Sequence, residues 1–151
     1  MFLGYQNGKI KFFTRQKFNE PTIEKWEETQ DEYVLDGDEY VLYDEAYIEK
    51  QAQEEKKRIA MLSLTRGDVF RGLLQAKQIT RAQIRAMIEN NGALSILEKE
   101  MALIDFDEAL NFYRGNALIN VLGQALGITS EQLDKFFETN DYTVLAQPVE
   151  E

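Results

Sequence analysis

The 151-residue chain carries 17 basic and 27 acidic side chains, a net charge of −10, and is 44% hydrophobic with 11% aromatic residues. That apolar content rules out a disordered acidic tail, and a chain of this length buries roughly two-thirds of its unfolded surface on folding. With no cysteine and no histidine, disulfide frameworks, Cys/His zinc sites, thiol nucleophiles and Ser-His or Cys-His catalytic arrangements are all excluded.

The opening residues Met1-Phe2-Leu3-Gly4-Tyr5-Gln6 lack the basic stretch and apolar run of a signal peptide. No apolar segment approaches the roughly 18 residues that a membrane span needs, so neither targeting nor membrane association is expected. The first 50 residues hold ten of the 17 aromatics and two turn signals, Asn7-Gly8 and Asp36-Gly37. Each signal is flanked by short apolar runs, Phe2 to Gln6 with Lys9 to Thr14 and Tyr33 to Leu35 with Glu39 to Tyr43, which predicts two hairpins in one antiparallel sheet. Between them, Glu20 to Trp26 is expected to open with a short helical turn, since proline suits a first turn. Residues 1–44 thus read as a small antiparallel β module, and the aromatics Trp26, Tyr33, Tyr40 and Tyr43 as its core.

From Asp44 the period changes to that of a Glu/Lys-rich polar helix, a connector over residues 45–62. Residues 63–140 read as a helical bundle without strands, and residues 141–151, with Pro148, as a loose acidic tail. The fold class is therefore α+β, with β-hairpins first and a bundle after them. Inside the bundle, an offset of 49 residues lays Leu73 on Leu122, Gln75 on Gln124, Ala76 on Ala125, Ile79 on Ile128, Thr80 on Thr129 and Gln83 on Gln132. Two copies of one helical hairpin follow from this. In each, Thr80-x-x-Gln83 or Thr129-x-x-Gln132 forms a capping box, and Ile79 with Ile84 or Ile128 with Leu133 forms a hydrophobic staple. Gly127 stands where the preceding helix must stop in a left-handed cap, and the first copy has Gln78 there. Between the copies, Leu97, Met101, Leu103, Ile104, Phe106, Leu110, Phe112 and Tyr113 predict one helix apolar on more than half its circumference, buried between the hairpins.

The second hairpin, through Leu126-Gly127-Ile128-Thr129, has the outline of a DNA-reading helix-turn-helix. Its second helix, however, opens Ser130-Glu131-Gln132-Leu133-Asp134-Lys135, with two acids to one base, so packing is the favoured reading. The first hairpin differs in charge: residues 57–91 carry a net +5, against −7 for 1–56 and −8 for 92–151. Arg66, Arg71, Lys77, Arg81 and Arg85 form the candidate interaction surface. Pairing with the chain's own surplus carboxylates is the first expectation for them, because the acidic flanks repel nucleic acid. Asp105, Asp107 and Glu108 read as solvated or capping acids, Asp36-Gly37-Asp38 as a turn too short for calcium, and no glycine-rich phosphate loop occurs. No catalytic residue, metal or cofactor is expected.

The run from Ala109 to Ile119, followed by Leu126 to Phe137, resembles small prophage proteins that lie in or beside the tail modules of bacterial phages. Their layout is similar: a short β start, a Glu/Lys-rich helix, then compact helical hairpins. The resemblance spans about residues 57–140 and brings no catalytic motif with it. It implies a non-enzymatic phage or prophage accessory or assembly protein, in the host cytoplasm or on the virion, working through a protein partner. A virion component or a host factor would fill that role, and a homo-oligomer is compatible with it. An acidic inhibitor of a host nuclease or CRISPR effector is the alternative, and a nucleic-acid-binding helix-turn-helix module comes third.

Overall fold

A computed structural model describes residues 1–146. The chain is α+β, with antiparallel β-hairpins followed by helices, and it forms two compact units, Met1–Glu54 and Glu55–Glu151.

In the first unit β1 (Phe2–Gln6), β2 (Lys9–Thr14) and β3 (Lys25–Glu28) make a three-stranded antiparallel sheet in the order β2-β1-β3. Asn7 and Gly8 both take positive φ, 52° and 73°, as the tight β1–β2 turn requires. Gly4 pairs with Phe12 and Tyr5 with Ile10, so Lys11 is an extra, bulged residue. Its ammonium reaches Asp38 Oδ2 at 2.7 Å. The segment expected to open with a helical turn instead makes a tight turn, Ile23 N–H donating to the Glu20 carbonyl, and enters β3. Trp26 explains the difference. It lies opposite Gly4, where an added Cβ would sit 3.0 Å from Trp26 Cζ3, and its ring meets Phe18 at 5.2 Å and Phe12 at 6.4 Å. A helix would forfeit that cross-strand packing.

The second hairpin, β4 (Tyr33–Asp36) and β5 (Glu39–Leu42), is a separate two-stranded sheet, which corrects the expectation that both hairpins share one sheet. Its turn residues are Gly37 and Asp38, with only Gly37 at positive φ. An identical Asp-Glu-Tyr-Val-Leu run stands on both sides of that turn, at 31–35 and 38–42. Antiparallel pairing therefore sets Val34 against Val41, and Tyr33 and Leu35 against Leu42 and Tyr40. Phe13 of β2 packs on Tyr33 and Tyr40, with ring centroids 5.5 and 6.1 Å away.

Helix α1 (Glu45–Ala60) has no buried residue, and the division between the two units falls within it. Such a helix is held by its caps and surface pairs, including Arg58 with Glu55 at 2.6 Å.

The second unit runs β6 (Ser63–Thr65), α2 (Arg66–Lys77), α3 (Arg81–Glu89), α4 (Ile96–Glu108), β7 (Asn111–Tyr113), α5 (Ala117–Leu126), α6 (Ser130–Thr139) and α7 (Thr143–Ala146). Its core is one cluster that includes Val69, Leu73, Ile84, Ile88, Phe106, Phe112, Leu118, Leu122, Phe136 and Leu145. The two hairpins carry the same devices. Thr80 and Thr129 each cap a helix in a complete capping box with Gln83 and Gln132. Gln78 and Gly127 each end the preceding helix in the left-handed conformation, at φ 55° and 64°. Gln78 pays the steric cost that glycine avoids. Gln78→Gly should therefore stabilise the protein by roughly 1 kcal/mol, read as a raised urea midpoint at unchanged slope; a lowered midpoint would contradict this.

Three expectations for this unit are corrected. It contains strands: β6 pairs antiparallel with β7, Leu64 opposite Phe112, and each strand runs directly into an Arg-Gly step. Three-residue strands 48 residues apart leave no periodic signal in the sequence. Helix α4 stops at Glu108, so Leu110, Phe112 and Tyr113 are not on it, and it is not buried between the hairpins: only Ala102 and Phe106 are. Residues 141–146, expected in the tail, turn and form α7, with Val144 and Leu145 in the core. The rest of the expected tail, 147–151, lies outside the described residues.

Candidate functional site

The basic segment builds a cleft at the start of the second unit. Thr65 caps α2: its hydroxyl accepts from the Asp68 amide at 3.1 Å and donates to Asp68 Oδ2 at 2.6 Å. That hydroxyl, and Arg71 Nη2 at 2.7 Å from Oδ1, hold the Asp68 carboxyl below its ordinary pKa. Arg71 lies back across Gly67, where an added Cβ would come within 3.2 Å of Nη1. One hairpin turn later the Thr80 cap starts α3, which brings Ile79, Arg81 and Ile84 to the same cleft as Arg66, Gly67, Phe70, Arg71 and Leu74 of α2. The cleft has a volume of about 380 Å³, an apolar floor and three arginines around it.

The arginines are held in different ways. Arg81 has no carboxylate within ion-pair distance among the described residues. Its guanidinium stacks on two rings, 5.4 Å from the Phe70 centroid and 5.3 Å from that of Phe106. Arg66 lies 6.0 Å from the Phe70 ring and donates through Nη1 to the Asp107 carbonyl at the end of α4. Its own amide donates to the Leu110 carbonyl at 2.9 Å. Arg85 is neutralised: Nη1 donates to both Asp107 oxygens at 2.8 and 2.7 Å and Nε to Glu89 at 3.0 Å, which raises its pKa. Lys77, half-buried in the last turn of α2, does not line the cleft.

Of the five residues singled out in the sequence, the fold thus gathers Arg66, Arg71 and Arg81. Pairing with the chain's own carboxylates holds for Arg71 and Arg85 but not for Arg81. Arg66 and Arg81 each occupy the first position of a helix, where the macrodipole disfavours a cation by about 0.3–1 kcal/mol. The ring contacts of both arginines and the bond from Arg66 to the Asp107 carbonyl offset that cost.

A second feature was not legible in the sequence. The outer face of α4 presents Leu97, Met101 and Ile104 at 70%, 59% and 55% exposure, with Ile96 beside them at 83%. The i, i+4, i+7 spacing makes this a continuous apolar stripe opposite the buried Ala102 and Phe106. Leu110, just beyond the helix, is also largely exposed. The stripe and the cleft are tied at Asp107, which receives Arg66 on its carbonyl and Arg85 on its carboxylate. The surplus of apolar residues was visible in the sequence; that the helix would bury only one side was not.

Asp105 accepts from Asn116 Nδ2 at 2.9 Å. The helix-turn-helix-like pair α5–α6 buries Leu133, Phe136 and Phe137 and leaves Glu131, Lys135 and Glu138 outward. Among the described residues no group of three or more acidic side chains is arranged to hold a metal, and no helix is long and apolar enough to cross a membrane. Comparison with protein-family models, with curated proteins and with solved structures finds no match to this chain.

Proposed function

We propose that this is a non-enzymatic accessory or assembly protein of a phage or prophage, acting through protein–protein contacts made by its second unit. The observation that carries the reading is the exposed apolar stripe of α4. Exposing four large apolar side chains on one helix serves no purpose in the isolated chain, and such patches mark interaction surfaces. The neighbouring arginines add charged contacts that orient a partner. The phage context rests on the resemblance of residues 109–137, and the non-enzymatic character on a chain without histidine or cysteine and with its acids engaged or solvated.

The test is affinity capture from a lysate of a bacterial host carrying an induced prophage, comparing the parent with Leu97→Glu/Ile104→Glu at two salt concentrations. Both positions are more than half exposed, so the variant should melt as the parent does while losing the captured virion proteins. Retention of the same proteins by the variant, or capture that vanishes on nuclease treatment, would overturn the reading. Recovery of a host nuclease in place of virion proteins would replace assembly with inhibition.

A further inference from the structure

We infer that the cleft between α2 and the start of α3 is a receptor for an acidic peptide of the partner protein, one in which a carboxylate side chain is followed by an aromatic or branched apolar residue. This rests on the protein-contact reading above and specifies the chemistry that the partner must bring.

Four observations converge on that ligand. Arg81 is a cation with no carboxylate of its own, yet its guanidinium is fixed in place by the Phe70 and Phe106 rings, so its edge is pre-organised to receive a bidentate acceptor. Arg66 is anchored by one nitrogen to the Asp107 carbonyl, and Arg71, held by Asp68 at 2.7 Å, lies close over Gly67 in the cleft wall. The two helices that form the cleft both begin there with arginine, and the positive ends of their dipoles add to its potential. The floor, Phe70, Leu74, Ile79 and Ile84, is apolar, and Leu74 is half exposed within it. An isolated anion would use the arginines and leave the floor wet, whereas an acid next to an apolar side chain satisfies both. The volume of about 380 Å³ is at the small end of the range for ligand sites, about 300–1,000 Å³, and suits a short side-chain pair. A polyanion is the poorer match, because the chain carries −10 overall and its charge outside residues 57–91 is strongly negative.

The experiment uses the full chain and a fluorescein-labelled peptide, Gly-Asp-Glu-Phe-Leu-Gly, read by fluorescence anisotropy. Binding should weaken as salt rises, fall at least tenfold when Phe and Leu are replaced by Ser, and disappear when Asp and Glu are replaced by Lys. Arg81→Ala should raise the Kd at least tenfold, Arg81→Lys by less, and Lys77→Ala should leave it unchanged; far-ultraviolet circular dichroism checks that each variant is folded. Equal binding by the parent and a folded Arg81→Ala variant would overturn the inference, as would an absence of binding at millimolar peptide. Displacement of the peptide by single-stranded DNA at lower concentration than by unlabelled peptide would also overturn it. If peptide binding fails while Leu97→Glu/Ile104→Glu still abolishes capture, the cleft proposal falls and the protein-contact reading stands.

Discussion

Asp134→Ala should destabilise the second unit by roughly 3 kcal/mol, more than the loss of any other exposed or half-exposed acid in the chain. The cause is Arg114, the one charged residue buried among those described, at 6% exposure. It follows β7 and is clamped between two helices. Nη1 donates to Asn120 Oδ1 at 2.8 Å, and Nη2 to Ser130 Oγ at 2.8 Å and to the Ser130 carbonyl at 3.3 Å. Nε lies 2.6 Å from Asp134 Oδ1 but lacks hydrogen-bond alignment, so that contact is electrostatic rather than directional. Removing the carboxylate leaves a buried cation with neutral partners only. The Asp134 side chain is itself about a third exposed, which keeps the cost at the low end of the range for broken buried pairs. Replacing both members, Arg114→Met with Asp134→Leu, should cost less than the two single changes summed, because no charge is then stranded. Urea unfolding with linear extrapolation measures all four corners of the cycle. Strict additivity would mean that the pair is not coupled.

Gly72→Ala should destabilise by roughly 1–3 kcal/mol, although alanine is the better helix former by about 1 kcal/mol. Gly72 is buried in α2. A Cβ there would sit 2.5 Å from Phe136 Cζ and 2.9 Å from Cε2. Phe136 is only 1% exposed and meets Phe137 edge-on at 5.9 Å, so its ring must shift within the core to admit the methyl group. The clash is between the first hairpin and the second. Gly92 is the control: nothing lies within 4 Å of an added Cβ there, so Gly92→Ala should stay within about 0.5 kcal/mol of the parent. Equal melting temperatures for the two variants would contradict the packing described.

Local chemistry explains what could be read in advance. The Asn7-Gly8 turn, the two capping boxes and the left-handed stop at Gly127 each depend on residues within a few positions of one another, and each is found. The repeat at an offset of 49 also told that Gln78 stands where Gly127 does, and both take positive φ. What escaped was set by distant partners. Strand β3 depends on Trp26 finding Gly4, and β6 on Leu64 finding Phe112. Tail residues Val144 and Leu145 are buried because α7 returns to the core. Within the site, the sequence marked the arginines but not which would share a cleft. Asp107, 22 residues from Arg85, decides that by engaging Arg85 and leaving Arg81 to the phenyl rings. The α4 stripe departs from the expected buried helix for a related reason: an apolar surplus in one sequence does not distinguish burial inside the chain from burial against another protein.

The most direct measurement is hydrogen–deuterium exchange of the protein alone and in the complex recovered by affinity capture. New protection is expected over residues 96–110 and 66–85, where the stripe and the cleft lie, and none over residues 1–44. Protection confined to residues 1–44, with α4 exchanging as in the free protein, would contradict this.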